Sequence, residues 1–162
     1  MDERPLSMKS RSSDLWPPRI AGCWSLSQLS LGRKAGLVVA NVIHTVGPIA
    51  QGGVGEKEKK ALRSCYKNSL ETATKNAARS VAFPCISTGI YGYPPEQAVH
   101  EALATVREYL VEHHDKLDRV IFCVFLPTDK ELYLQNLPLY FPAGTSVLWA
   151  ECHRRGWEVR KY

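Results

Sequence analysis

Three consecutive strand–helix units between residues 36 and 142 constrain the fold of this 162-residue chain more than any other feature. Apolar runs of strand length occupy residues 37–46, 80–86 and 118–126, and helical periodicity follows each of them. The helices are expected over residues 56–76, from 95 to about 114, and after Thr128, which opens a capping-box pattern that Pro138 limits. Repeated units of this kind predict an α/β fold with a mostly parallel sheet and right-handed crossovers.

The two ends of the chain lack this periodicity. We therefore expect a weakly ordered segment over residues 1–35, the folded part over 36–142, and a divergent tail over 143–162. Residues 42–142 carry eleven Lys/Arg and eleven Asp/Glu, so the net charge of +5 belongs to the ends. A nucleic-acid partner is therefore not expected, because the folded part has no excess of positive charge.

Composition excludes several other classes of protein. No apolar run reaches the roughly 18–20 residues of a membrane span, and no apolar segment with a cleavage site indicates a secretory signal. The five cysteines are odd in number and widely spaced, which argues against a disulfide framework and a structural metal site. Free thiols indicate an intracellular protein, with the cytoplasm or nucleus favoured and the mitochondrion open.

The loop after the second predicted strand, residues 87–95, is the best candidate for chemistry. Ligands of open parallel sheets bind outside the carboxyl ends of the strands, where this loop lies. Gly89 and Gly92 allow backbone shapes and close approaches that a Cβ blocks, and Ser87 and Thr88 offer hydroxyl groups. Such a loop, followed by a helix N-terminus, suits a phosphate group. A tight turn without a ligand remains the alternative, since neither a Walker A nor a Rossmann fingerprint is present.

Three other places in the chain have a functional and a structural interpretation. His44 is either a general base or a hydrogen-bonded strand histidine, and the latter is favoured because no acidic partner is identifiable. Cys85 is either a nucleophile or a buried thiol, the latter favoured. His113 and His114 suit a solvated helix end better than a metal site.

Two motifs resemble one known family. Val-Ile-His-Thr-Val-Gly-Pro at residues 42–48 and Ser-Val-Ala-Phe-Pro-Cys-Ile-Ser-Thr-Gly-Ile-Tyr-Gly-Tyr-Pro at residues 80–94 are similar to macrodomains, in particular MacroD-type ADP-ribosyl hydrolases. The segments 121–126 and 137–142 fit the same subgroup. The resemblance covers about residues 42–142, the C-terminal portion of such a domain, and implies a three-layer α/β/α fold.

The resemblance also implies a ligand and its contacts. Macrodomains bind ADP-ribose at the carboxyl ends of the strands, free or attached to mono-ADP-ribosylated proteins, and use neither a metal nor a cofactor. The expected diphosphate contacts are Ser87, Thr88, Gly89, Ile90 and Gly92. Tyr91 corresponds to the aromatic residue against the distal ribose, and Phe125 to a position lining the adenine site.

The chain departs from the family upstream of residue 42. A MacroD-type domain carries an Asn-Ala-Ala-Asn motif and a Gly-rich loop ending in Gly-Val-Asp there, with an adenine-recognising Asp, a ribose-binding Asn and the catalytic Asp. Residues 1–41 contain neither motif, and Val-Val-Ala-Asn at residues 38–41 is not equivalent. We therefore expect an incomplete domain, without the N-terminal strands and first ligand loop, as in a truncated isoform, and assign no catalytic residue.

Three functions remain open at this stage. The family's activity is hydrolysis of mono-ADP-ribose from acidic protein side chains, and of O-acetyl-ADP-ribose; it is expected here to be reduced or absent. A non-catalytic ADP-ribose-binding module is the second candidate. The third is a chain with neither activity, whose incomplete sheet exposes an edge and apolar surface.

Overall fold

The computed structural model describes residues 21–25, 41–141, 147–153 and 156–161, with side chains described over 41–141. The strands are β1 (Ala21–Ser25), β2 (Asn41–Thr45), β3 (Ser80–Pro84), β4 (Arg119–Val124), β5 (Val147–His153) and β6 (Gly156–Lys161). The helices are α1 (Glu56–Lys75), α2 (Pro95–Glu112) and α3 (Pro127–Tyr140). None of these three helices has the length and apolar character of a membrane span.

The described strands form one sheet in the order β2-β1-β3-β4-β5-β6. Every neighbouring pair is parallel except β5 and β6, which are antiparallel. In the central pair, Ser80 of β3 lies opposite Arg119 of β4, and Pro84 lies opposite Cys123. The predicted α/β class and mostly parallel sheet are therefore confirmed.

Strands also occur where the sequence pattern indicated none. β1 lies within the segment 1–35 that was expected to be weakly ordered, and it pairs along its whole length with β2. Its position between β2 and β3 gives both strands a neighbour. The sequence left open whether residues 1–41 supply strands in place of the missing ones, and the structure places one strand of that segment here. β5 and β6 lie in the tail 143–162, for which no element was predicted. The boundaries at residues 35 and 143 remain a prediction.

The three helices lie side by side on one face of the sheet. α1 contacts α2, and α2 contacts α3. Each of the connections β2–α1–β3, β3–α2–β4 and β4–α3–β5 moves in the same direction along the sheet, and right-handed crossovers then place every helix on the same side. The prediction of a second helical layer falls outside the described residues.

The core between helices and sheet is built on aromatic side chains. The ring of Tyr66 in α1 lies 5.0 Å from that of Phe83, and the ring of Phe122 lies 4.9 Å from that of Tyr133 in α3. Phe83 and Phe122 stack at 6.4 Å between these pairs. Burial of each such side chain contributes about 1.5–3 kcal/mol. This core fixes the ends of β3 and β4, where the candidate loop begins.

The opposite side of the two central strands is buried as well. Ala82, Ile121 and Cys123 alternate with the helix-facing residues and are at most 4% exposed. A strand buried on both faces reads as a continuous apolar run, which is why β3 and β4 were recognisable in the sequence.

The third helix begins two residues earlier than its sequence pattern predicted. Pro127 occupies the first helical position, where a missing N–H group costs nothing, and Leu126 is the N-cap. The predicted capping box that opens at Thr128 is therefore wrong, because Thr128 lies inside the first turn. The helix also runs past Pro138 to Tyr140.

Candidate functional site

The candidate site lies where β2, β3 and β4 end. Because these strands run in the same direction, the segments after Thr45, Pro84 and Val124 meet at one edge of the sheet. The segments are residues 46–51, 85–93 and 125–126. The geometry of this edge therefore decides what the site can bind.

The loop of residues 87–93 is folded into two closed turns. The amide of Tyr93 donates to the carbonyl of Ser87 at 3.0 Å, and that of Gly92 donates to the carbonyl of Gly89 at 2.9 Å. Ser87 has a φ of 66° and Gly92 a φ of 68°, both in the left-handed region. The turn at Gly92 therefore depends on glycine, whereas Ser87 adopts a conformation that is uncommon for a residue with a Cβ.

Several backbone amides inside the longer of these turns are open, which here means that they have no acceptor among the described residues. Those of residues 88–91 donate no hydrogen bond to any described residue. A Cβ added at Gly89 would meet nothing within 4 Å, and Ile90 is 80% exposed. Successive amides without acceptors beside open space are a combination that suits an anion.

The loop after β2 holds the loop of residues 87–93 in place through two hydrogen bonds. The amide of Ala50 donates to the carbonyl of Tyr91 at 2.7 Å, and Nε2 of Gln51 donates to the carbonyl of Ile90 at 2.7 Å. These two bonds occupy the carbonyl groups of Ile90 and Tyr91 and leave the amides of residues 88–91 without an acceptor among the described residues. The sequence analysis did not identify Gln51, because nothing in the pattern linked it to a loop 39 residues away.

The two loops touch most closely at Gly47. A Cβ on this buried glycine would lie 2.1 Å from Oγ of Ser87 and 2.5 Å from Cγ2 of Ile86. The hydroxyl of Ser87 is itself buried and lacks a partner among the described residues. We therefore assign the Ser87 side chain to the contact between the loops, and its predicted diphosphate contact remains a prediction.

The other predicted contact residues surround the same edge. Thr88 is half-buried and donates through Oγ1 to the carbonyl of Cys85 at 3.4 Å. Tyr91 is half-buried, while Phe125 is 57% exposed directly after β4. Val46 and Ile49 are also exposed at this edge. The open amides thus lie among apolar side chains, a composition typical of nucleotide and other small-molecule sites.

A buried polar group lies beneath the loop. A small cavity there is lined in part by Tyr66, Cys85, Thr88, Asp129 and Tyr133. Burial raises the pKa of the Cys85 thiol well above its usual value, and it raises the pKa of the Asp129 carboxyl. The Cys85 side chain is therefore a neutral thiol, which supports its interpretation as a buried group over that of a nucleophile.

The histidines named in the sequence analysis lie on β2 and directly after α2. His44 lies exposed on β2 and forms no side-chain hydrogen bond or ion pair with the described residues, so neither expected role gains support. His113 ends α2 and stacks on Tyr109 at 4.3 Å. Across the described ranges, no three His, Cys, Asp or Glu side chains are grouped as metal ligands.

Comparison with known proteins shows what this fold resembles. The Macro domain family model matches residues 30–102, and this part of the chain is similar to a macrodomain. Over 101 residues, which are 62% of this chain and 24% of the relative, it is 57% identical to ADP-ribose glycohydrolase MACROD2 of Xenopus laevis. It is 54% identical to ADP-ribose glycohydrolase MACROD1 of Rattus norvegicus, covering 67% of this chain and 42% of that one.

Solved macrodomain structures share the fold. The Trypanosoma brucei macrodomain in complex with ADP-ribose is 36% identical, with a TM-score of 0.56, over 63% of this chain and 42% of that one. The chain covers less than half of each of these three proteins. The macrodomain resemblance deduced from residues 42–142 is confirmed, and the activities of whole relatives enter only as proposals.

Proposed function

We propose that this chain binds ADP-ribose, free or attached to a protein, with the diphosphate on the amides of residues 88–91. The observation that carries this proposal is the set of four amides without acceptors among the described residues, together with the open space beside Gly89. The structure of a relative in complex with ADP-ribose supports the choice of ligand. No charged side chain is needed in this account, because amide dipoles and the start of α2 supply the positive potential.

The rest of the ligand extends from this point in both directions. We assign Tyr91 to the distal ribose because it lies in the loop. We assign Phe125 to the adenine side because it follows the neighbouring strand β4 and is 57% exposed. Gly92 contributes to the shape of the loop through its positive φ, and Ile90 covers the open side. The expected occupant is therefore a nucleoside diphosphate sugar rather than inorganic phosphate alone.

Substitution of Gly89 tests the proposal without a steric clash that would destabilise the fold. Gly89→Val adds a side chain into the open space, so we expect an unchanged melting temperature and ADP-ribose affinity lower by at least about tenfold, or 1.4 kcal/mol. Calorimetry measures both proteins. Gly52→Val is the matched control, because a Cβ at Gly52 also meets nothing within 4 Å. Millimolar or absent binding by the unsubstituted protein contradicts the proposal, and equal losses in both variants remove its assignment to the loop.

Hydrolysis is the second candidate function, favoured by the glycohydrolase names of the curated relatives. We propose that its rate here lies far below that of a complete domain. The Asn-Ala-Ala-Asn and Gly-Val-Asp motifs are absent from the chain, and Asp129 beneath the loop is buried. Loss of a positioned general base commonly lowers a rate by about 10²–10⁴-fold.

A release assay on a mono-ADP-ribosylated protein measures this activity. We expect turnover lower than that of a complete MacroD-type domain by about 10²-fold or more. Turnover equal to that of the complete domain would contradict the proposal. Asp14, the candidate to replace the missing Asp in the event of such a result, lies outside the described residues.

A further inference from the structure

The edge that carries the candidate site is rich in exposed apolar side chains. Among residues 41–141 the structure exposes nine large apolar side chains. Five of them lie in the segments that follow β2, β3 and β4 at this edge: Val46, Ile49, Ile90, Phe125 and Leu126. Exposed apolar residues that are scattered singly are ordinary, whereas a concentration of them at one place marks a surface that binds a partner.

The loops at this edge also carry no charged side chain. Residues 45–55 and 80–95, which contain the loops after β2 and β3, include no Asp, Glu, Lys or Arg. Charged side chains return at Glu56 and Glu96, in the first turns of α1 and α2. A charged group loses hydration against an apolar surface and gains no ion pair there, so this edge favours an uncharged partner.

Hydrogen bonds bring two of the exposed isoleucines to neighbouring positions. The amide of Ala50 donates to the carbonyl of Tyr91 at 2.7 Å, and the side chain of Gln51 donates to the carbonyl of Ile90 at 2.7 Å. Residues 49–51 therefore lie beside residues 90–92. Ile49 is 65% exposed, and Val46 is exposed three residues before it. We call Val46, Ile49 and Ile90 the β2-side rim.

The strand order indicates which end of the ligand reaches this rim. In the sheet, β2 and β4 lie on opposite sides of β3, whose loop is proposed to hold the diphosphate. The adenine side is assigned to Phe125 after β4, so the distal ribose end points towards the loop after β2. In a mono-ADP-ribosylated protein, the distal ribose is the part that is joined to the protein. The attached protein therefore leaves the site beside the β2-side rim.

We propose that the β2-side rim binds the protein segment that carries ADP-ribose and prefers segments whose neighbouring residues are apolar. The inference rests on the proposed function for the position of ADP-ribose, and it adds the chemistry of the protein carrier. Apolar neighbours of the modified residue strengthen binding, because their surface and that of Ile49 and Ile90 leave water together. Charged neighbours of either sign weaken it.

Three peptides that carry ADP-ribose through a linkage resistant to hydrolysis test this preference. The residues on both sides of the modified position are Leu and Val in the first peptide, Asp in the second and Lys in the third. By calorimetry we expect the apolar peptide to bind at least about fivefold more tightly than either charged peptide and than free ADP-ribose. Equal affinities of the three peptides overturn the inference.

Ile49→Ser tests the contribution of the rim itself. We expect the ratio of the apolar-peptide affinity to the free ADP-ribose affinity to fall by at least about threefold. Val111→Ser is the matched control, because Val111 is 71% exposed near the C-terminal end of α2, away from this edge, and it should leave the ratio unchanged. An unchanged ratio in Ile49→Ser overturns the inference.

Free ADP-ribose distinguishes failure of this inference from failure of the proposed function. If the unsubstituted protein does not bind free ADP-ribose, both fail. If it binds free ADP-ribose and shows no preference among the peptides, the inference fails alone. Sedimentation that finds dimers of the unsubstituted protein but not of Ile49→Ser, together with no peptide preference, assigns the rim to a second copy of the chain and also overturns the inference.

Discussion

At the scale of single residues, the shape of the site depends on glycines, because the absence of a side chain leaves room at two positions. Gly47 lets the loop after β2 reach Ser87, and Gly89 leaves space above the open amides. Ser87 accepts an uncommon φ of 66°, a strain of order 1–3 kcal/mol that the surrounding loop contacts maintain. The local backbone is therefore shaped by packing between two loops rather than by the glycines of one loop alone.

Gly47→Ala tests this close approach. Its methyl group would lie 2.1 Å from Oγ of Ser87, so the loops must separate, and we expect a loss of about 1–3 kcal/mol in the free energy of unfolding. Urea denaturation measures the loss. Gly52→Ala, where the methyl group meets nothing, should change stability by less than about 0.5 kcal/mol. Equal stability of the two variants would contradict the packing.

The site residues differed in how well the sequence could predict them. The loop of residues 87–92 could be identified from its Gly, Ser and Thr residues, because unusual backbone shapes need these residue types. Gln51 was missed because its partner Ile90 lies 39 residues away in sequence.

At the scale of elements, helices with an apolar stripe and strands with a continuous apolar run were predictable. Segments with neither pattern were not. β3 and β4 are apolar runs buried on both faces, and α1 and α2 have clear apolar stripes. β1 has five residues, among them Gly and Ala, and no alternation. Such a segment becomes a strand through its neighbours β2 and β3, and a pattern confined to the segment cannot show this.

One ion pair connects elements at the opposite edge of the sheet. The guanidinium group of Arg79, which precedes β3, bonds through both Nε and Nη2 to the carboxylate of Asp118, which precedes β4. Its Nη1 also donates to the carbonyl of Asp115 at 2.7 Å. The Arg79 guanidinium therefore lowers the pKa of Asp118 from its ordinary value.

This pair predicts a dependence of stability on pH. Because the folded-state pKa of Asp118 is lowered, its contribution is present above the unfolded value of 3.8 and disappears as pH falls through the folded value. Asp118→Asn should therefore cost about 0.2–1 kcal/mol at pH 7 and progressively less below about pH 4, since the pair is exposed. Urea denaturation at both pH values measures it, with the exposed Glu112→Gln as control. A cost that stays constant with pH would contradict the ion pair.

At the scale of the whole molecule, the positive net charge lies outside residues 42–142. Residues 42–142, which hold the candidate site, carry no net charge, so the proposed diphosphate site relies on backbone amides at the edge of a parallel sheet rather than on a basic surface. The sheet remains continuous from β2 to β6, because β1 joins β2 to β3. The candidate site therefore stands on a sheet in which each of its strands has a neighbour.

The most direct test of the account is the change in backbone amide NMR signals when ADP-ribose is added. We predict that saturable shifts are largest at residues 88–91, where the amides are open, with further shifts at Phe125 and its neighbours. Saturable shifts that leave residues 88–91 unmoved, or no shifts at millimolar ADP-ribose, would contradict the central claim that this loop holds the diphosphate.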